Sequence, residues 1–599
     1  MALQTDTPAL PPLIRIVDDN DTLRQSLEFM LQCEGYEVVS YASAMEFLKS
    51  DTPSRPGCLI LDIQMPEMSG LDLFDRLNHR GYEVPVIFLT AHGDIDMAVG
   101  AMRDGACDFQ TKPINVEKFL PAVAQAATGK AAPSQKSNIN KTLPSETFDC
   151  VILGAGTGSL VTAIEAFDRG LKPVVLEKMS WAAGNSIFAS GGIAAWGTDL
   201  QKAQGFNETK EAFRADMMKV SQNRADPALV DTYVENIGPD IEWLQKKIGV
   251  KFEKIRTLPW PLLHRMIPVD GQGLTGGSRL IRYLLAACDA RKIPVRFNTK
   301  GLKLITDNQY RIVGVECLTD DGLKNYMARD GVVIGTGGFS ANRAMLCRYM
   351  GGPLSRLVLR GSQYVTGENV SMTEPLGAML VHMDQFHCGP IVENTHANPN
   401  FVIDAGTGLD VNCQGQRFMD EVFTYTQKSM ATATKTAENK AYHIIDANWP
   451  RSEMAAKKFL GMNSEVIIAN TPEELARKMG LKPEVFTKLF AEYNKALADG
   501  KLKDMNPPCS LKDPKPLNKP PYYAFPFQGG ITATFGGPKI NSKAQIVSNE
   551  GVPFKGLYAV GNAAGGLFFG NYIGGSQLGA ATVFGRIAAA DMASKHKNA

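Results

Sequence analysis

Short apolar runs separated by longer amphipathic stretches organise the first part of the chain. Leu13–Val17, Cys58–Leu61 and Val84–Leu89 are near-continuous apolar runs of strand length, the pattern of strands covered on both faces of a parallel sheet. Thr22–Cys33 and Asp94–Asp104 carry helical spacing between and after them. From Leu13 to about Thr128 this rhythm predicts a doubly wound (βα)5 domain, with residues 1–128 as its bounds. The periodicity then vanishes. Residues 129–147, GKAAPSQKSNINKTLPSET, collect Ala, Pro, Ser, Asn and Lys and predict a linker. A new strand is expected from Phe148. No second linker of this quality follows, so one large unit with room for an inserted lobe is expected to run to the C-terminus.

Composition narrows the class. A chain of 599 residues exceeds what one hydrophobic core serves. A net charge of +1 gives no overall pull toward nucleic acid or membrane. No stretch approaches the roughly 20 apolar residues of a membrane helix, and MALQTDTPALPPL lacks the basic and apolar regions of an export signal. The ten cysteines form no CxxC or CxxCH, which argues against a disulfide framework, a zinc site and c-type haem. The expectation is a cytoplasmic protein that binds neither nucleic acid nor membrane.

Four features fall where the strand ends of the N-terminal sheet converge. Asp18 and Asp19 follow the first strand, Asp62 ends the third, Thr90 ends the fourth, and Lys112 precedes Pro113 after the fifth. In doubly wound sheets these carboxyl ends form the functional crevice. Clustered carboxylates repel unless a hard divalent cation sits among them, and magnesium suits oxygen ligands. Asp62 would be the nucleophile toward a phosphoryl donor, with Lys112, the metal and the Thr90 hydroxyl neutralising the phosphate.

The second half opens on a strand, Asp149–Leu153, that runs into Gly154-Ala155-Gly156-Thr157-Gly158-Ser159 and a helix to Arg169. A second strand, Pro173–Leu176, ends at Glu177. Gly154 makes the tight turn, and Gly156 lets the backbone approach a pyrophosphate on the helix N-terminus. Glu177 accepts from adenosine ribose hydroxyls, with Lys178 beside it in the same expected set. Ser159 stands at the third glycine position, which implies looser helix–strand packing. Further glycine clusters mark backbone approach: Gly184-Asn185-Ser186 through Gly191-Gly192, Gly335-Thr336-Gly337-Gly338, Gly561-Asn562 and Gly574-Gly575-Ser576.

Two resemblances follow from these segments. IRIVDDNDTLRQSLEFML, LILDIQMPEMSGLDLF and FLTAHGDIDMAVGAMRDGACDFQTKP resemble response-regulator receivers of the nitrogen-fixation-regulator type, over about 13–128. This implies Asp18 and Asp19 as the acidic pair, Asp62 as phosphoacceptor, Gln64 as carbonyl ligand of Mg2+, Phe109 at the aromatic switch position, and a sensor histidine kinase as partner. No DNA-binding helix-turn-helix follows. VILGAGTGSLVTAIEAFDRGLKPVVLEK, GNSIFASGGIAAWGTDLQKA, GVVIGTGGFSANRAML, GQRFMDE and GLYAVGNAAGG resemble the flavoprotein family of fumarate reductases, urocanate reductases and 3-ketosteroid dehydrogenases, over 148–592. This implies FAD at Glu177, Asn185, Ser186, Gly191, Gly192, Thr336, Gly337, Asn562, Gly575 and Leu578, with Thr366-Gly367-Glu368 at the TGD contact. No histidine lies at Asn185-Ser186, so the FAD would be non-covalent. A Rossmann-like FAD domain would be split over 148–383 and 533–599, with an α+β capping domain at 384–532.

The resemblance places the proton donor in GxRFxxE at Arg417, with Glu421 as its relay. The carboxylate clamp of fumarate reductases is missing: its positions fall on Gly389-Pro390, Asn400-Phe401, Ala533 and Tyr572. Without those cations the desolvation of a dicarboxylate is not offset. Tyr572 instead resembles the tyrosine that hydrogen-bonds a substrate ketone in ketosteroid dehydrogenases. The expectation is an FAD enzyme acting on a CH–CH bond beside a carbonyl, in a ketosteroid, an enone or an aryl-acrylate. It would exchange electrons with an external donor or acceptor, and its receiver would give phosphorylation control or a homodimer surface. The alternative is a flavin-based redox sensor whose output is the receiver's phosphorylation state.

Overall fold

The computed structural model describes residues 12–51, 57–79, 84–90, 106–127, 143–182, 184–271, 274–403 and 406–596. The expected helix Asp94–Asp104 and most of the expected linker lie outside them. The chain divides into two units, 1–142 and 143–599.

The first unit is a five-stranded parallel sheet, β1 (Leu13–Val17), β2 (Glu37–Tyr41), β3 (Gly57–Asp62), β4 (Val86–Thr90) and β5 (Asp108–Thr111), in the order β2-β1-β3-β4-β5. Alternate residues feed two cores. Ile14, Ile16, Cys58, Ile60, Ile87 and Leu89 pack on one face. Val17, Leu59, Leu61, Val86 and Phe88 pack on the other. That is why these strands read as unbroken apolar runs. Arg15, the one charge in LIRIV, is fully buried and donates to Asp51 at 2.8 Å. The helix Asp21–Cys33 starts where the Asn20 side chain accepts from the Leu23 N–H.

The second unit holds two larger sheets. In the first, β6 (Ser145–Leu153) lies between β7 (Pro173–Leu176) and the long strand Gly322–Ile334, all parallel, and Pro553–Ala559 from the C-terminal segment joins Gly322–Ile334. The strand β6 starts at Ser145, three residues before the expected Phe148. Its polar beginning is held by ion pairs rather than apolar burial: Glu146 binds both Arg296, at 2.5 Å, and Lys324. The second sheet centres on Tyr522–Thr534, which pairs with Val358–Leu359, Phe386–Ile391, Lys440–Asp446 and Ile467–Ala469. Helices Tyr425–Lys435, Ser452–Leu460 and Pro483–Ala498 belong to this α+β lobe. Val358–Leu359 joins its sheet although it precedes residue 384.

Candidate active site

At the end of β6 the chain turns through Gly154, whose φ is +87° and where a Cβ would come 2.6 Å from the Gly335 carbonyl oxygen. The helix Thr157–Asp168 then begins with Gly156 at its N-cap and no capping side chain, which leaves N–H groups for an anion. Ser159 tightens this corner rather than loosening it. Its hydroxyl donates to Leu153 O at 3.3 Å, and the room comes from Gly335, where a Cβ would lie 2.0 Å from Ser159 Oγ. The glycine expected at 159 has its steric counterpart in the neighbouring loop. Glu177 is clamped by backbone: it accepts from Ala155 N–H at 2.7 Å and Met179 N–H at 3.0 Å. Burial raises its pKa against those bonds.

These elements border a cavity of about 810 Å³. Its lining includes Gly154, Gly156, Gly158, Glu177, Lys178, Asn185, Ser186, Gly191, Gly192, Thr336, Gly337, Glu368, Asn562, Gly575 and Leu578. Every cofactor residue expected from the sequence except Ser159, which packs behind the turn, therefore meets in one place. Lys178 pairs with Glu368 and bonds Thr366 Oγ1 at 2.7 Å. Asn185 ties the cavity to the second sheet, donating to Thr532 O at 2.6 Å and accepting from Ser362 N–H at 2.7 Å. The chain leaves Thr336 Oγ1, Glu368 Oε2, His387 Nδ1, Asn400 Oδ1 and Gln577 Nε2 buried without a partner, and all five residues line this cavity. Orphaned buried polar atoms are rare in folded proteins. With an uncapped helix N-terminus and an acidic ribose acceptor, they fit a dinucleotide carrying a polar ring system, as FAD does.

The far end of the cavity is aromatic. Tyr572 lines it, with its ring 5.0 Å from His387 and 5.7 Å from both Phe535 and Phe568. Burial pushes the Tyr572 phenol well up, which keeps it a donor. His387 is held down to about 3 by burial and by Arg360, so its ring is neutral. Tyr425 and Arg360 line the same end.

Arg417 and Glu421 do not reach the cavity. Arg417 donates to Glu421 through Nε and Nη2, both at 2.6 Å, and to the carbonyls of Pro507 at 2.6 Å and Pro508 at 3.1 Å. Glu421 is 1% exposed. The expected catalytic placement of this pair is corrected: its hydrogen bonds brace the lobe, and the cavity residues of this segment are Thr424, Tyr425 and Thr426. The inference that the site lacks cations is corrected too, since Arg360 faces the cavity. No sequence motif marks Arg360 or His387. The available signal was the glycines inside the strands FHCGPI and FQGGITAT, because glycine within a strand marks close approach.

In the first unit the structure gathers Asp18, Asp19 and Asp62, whose oxygens lie within 4.8 Å of one another. Lys112 Nζ bridges Asp18, at 2.9 Å, and Asp62, at 2.8 Å. Burial raises the Asp62 pKa, with Lys112 pulling the other way. Asp62 Oδ1 accepts from Gln64 N–H at 3.4 Å, and Thr90 is fully buried at the end of β4.

Residues 149–578 match the family described as FAD binding domain, and residues 14–124 match the response regulator receiver domain. An NADH:fumarate oxidoreductase of Klebsiella pneumoniae (strain 342) is 30% identical over 476 residues, covering 79% of this chain and 50% of that protein. The chain thus spans about half the length of this relative. The transcriptional regulatory protein FixJ of Azorhizobium caulinodans is 33% identical over 175 residues, 27% of this chain and 80% of the regulator. The open conformation of a flavocytochrome c3 fumarate reductase superposes with a TM-score of 0.67 at 26% identity, over 75% of this chain and 79% of that one. Among the described residues no helix is long and apolar enough to cross a membrane. The chain belongs to the FAD-binding oxidoreductase family and carries a response-regulator receiver domain ahead of its flavin fold.

Proposed function

We propose that the chain oxidises or reduces a CH–CH bond adjacent to a carbonyl, with Tyr572 as donor to the carbonyl oxygen. The observation that carries this is a part-buried phenol, kept protonated by desolvation, at the aromatic end of a cavity whose other end fits FAD. Bound FAD would supply two-electron, hydride-type chemistry. The protein's own part is orientation and proton handling. A phenol aimed at the oxygen that gains charge stabilises an enolate more than the starting carbonyl, which lowers the barrier in either direction. Tyr425, which lines the same cavity, would exchange a proton with the substrate carbon. Phe535 and Phe568 pack on Tyr572 and fix its ring. An external electron donor or acceptor would complete the reaction.

The receiver would bind Mg2+ through Asp18, Asp19, Asp62 and the Gln64 carbonyl, and accept a phosphoryl group on Asp62 from a histidine kinase. The gathered carboxylates and the bridging Lys112 support this.

The test is anaerobic reoxidation of the photoreduced flavin by alkenes with and without an adjacent carbonyl. Saturable reoxidation by enones or aryl-acrylates is expected, and Tyr572→Phe should slow it by ~10²–10³. Rapid reoxidation by fumarate, with enones and aryl-acrylates ignored, would overturn the substrate reading. Slow reoxidation independent of any alkene would favour a redox sensor.

A further inference from the structure

Arg360 sits in a slot that two glycines make. In the pairing of Phe386–Ile391 with Tyr522–Thr534, Gly389 and Gly530 are register partners. A Cβ at 389 would come 2.1 Å from Arg360 Nη1, and a Cβ at 530 would come 2.6 Å from its Cγ. The arginine thus lies across bare backbone and reaches the cavity beside Tyr425, whose Cδ2 is 3.1 Å from the same Gly389 Cβ position. Tyr572 lines the same cavity.

Among the described residues its charge has no carboxylate counterpart. The one side-chain bond is to Thr532 Oγ1 at 3.2 Å, and no carboxylate lies within 4.0 Å among the described residues. Arg15, Arg265 and Arg417, all buried, each hold a carboxylate. Burial presses the Arg360 pKa below its ordinary value, as expected of a cation lacking an anion. Next to it, His387 leaves Nδ1 unbonded in the cavity wall. A part-buried guanidinium without an anion is costly unless a ligand supplies one.

Resting on the CH–CH reading above, we propose that Arg360 is the specificity-determining residue of the site and holds the carboxylate of an α,β-unsaturated monocarboxylate. One guanidinium serves one carboxylate. The two lysines that line the cavity belong to its ribose-binding end: Lys178 is paired with Glu368, and Lys300 acts on the same carboxylate. The remaining wall, with Pro259, Trp260, Leu262 and Met266, takes an apolar body. A dicarboxylate would leave one charge uncompensated, and a neutral ketone would leave Arg360 so.

The test uses the full FAD-loaded chain and follows the flavin difference spectrum on titration with two saturated probes of matched size, 3-phenylpropanoate and 4-phenyl-2-butanone. The wild type should bind the acid more tightly. Arg360→Gln should weaken the acid by ~30-fold or more while leaving the ketone nearly unchanged, and Arg360→Lys should recover part of the loss. Gly389→Ala, which displaces the guanidinium without removing it, should weaken the acid in the same direction. Equal binding of both probes by the wild type, or equal weakening of both by Arg360→Gln, overturns the proposal. So does a change in the resting flavin spectrum with the acid's affinity intact, because the cation then serves the flavin. Turnover of enones but not of unsaturated acids would sink the Arg360 assignment and leave the CH–CH reading standing. Arg360-dependent acid binding without turnover of any alkene would do the reverse.

Discussion

Arg417→Met removes four hydrogen bonds at once and strands the Glu421 carboxylate in a site only 1% exposed. Glu421 has no other cationic partner among the described residues. Burial already raises its pKa against the pull of Arg417, so without the arginine it must protonate or the lobe must open. Breaking a buried ion pair from one side costs ~3–5 kcal/mol. For a lobe of this size that is a fall of ~6–20 °C in the unfolding midpoint. Calorimetry gives the midpoint, and stopped-flow reoxidation of the folded fraction gives the chemistry. The rate should stay within about threefold, against the ~10²–10⁴ loss expected on removing a proton donor. The double replacement Arg417→Met with Glu421→Leu should recover much of the stability, since an apolar pair of similar volume can stand in for a buried ion pair. A midpoint unchanged within about 2 °C together with a hundredfold slower reaction would refute this account and return Arg417 to the chemistry.

Three further outcomes are expected. His387 has a folded pKa of about 3 against about 6.5 when unfolded, so the folded state prefers the neutral ring. Its contribution is fully present above pH 6.5 and is lost as the pH falls toward 3, by about 2 kcal/mol at pH 5. Denaturant titrations should show this slope in the wild type and not in His387→Phe; parallel slopes would disprove it. Gly335→Ala should lower FAD occupancy and cost ~1–3 kcal/mol by overpacking against Ser159, with partial rescue by Ser159→Gly, and absence of rescue would show that the turn fails elsewhere. Incubation with acetyl phosphate and Mg2+ should add one phosphate by intact mass to the wild type and none to Asp62→Asn; equal labelling of both would place the acceptor elsewhere.

What the sequence conveyed and what it hid differ by the range of the interaction. Gly154, Gly156 and Glu177 act through the local backbone of one βαβ turn, and Asp18, Asp62 and Lys112 sit at strand ends that the topology itself brings together. Each is readable because residue type and nearby pattern carry the geometry. The local motif misleads at Ser159 because the compensating glycine, Gly335, is far along the chain. Arg417 differs from its expected place for a related reason: a motif gives an order along the strand and loop, but not which side chain turns toward the cavity. Arg360 and His387 are illegible in the sequence because their surroundings depend on the register of Phe386–Ile391 against Tyr522–Thr534, which no local spacing reveals.

The slot over Gly389 and Gly530 also constrains how such a site can change. A side chain at 389 and an arginine at 360 compete for the same volume, since even a methyl group at 389 would fall 2.1 Å from the guanidinium. The two ways of supplying a cation here, one from the strand and one reaching across it, are mutually exclusive. A path between them must pass through a chain with neither, whose site carries no such charge, or through one with both, which is overpacked. Among related sequences, a bulky residue at the position of Gly389 should therefore accompany a short one at the position of Arg360, and one substitution alone should not convert either specificity into the other.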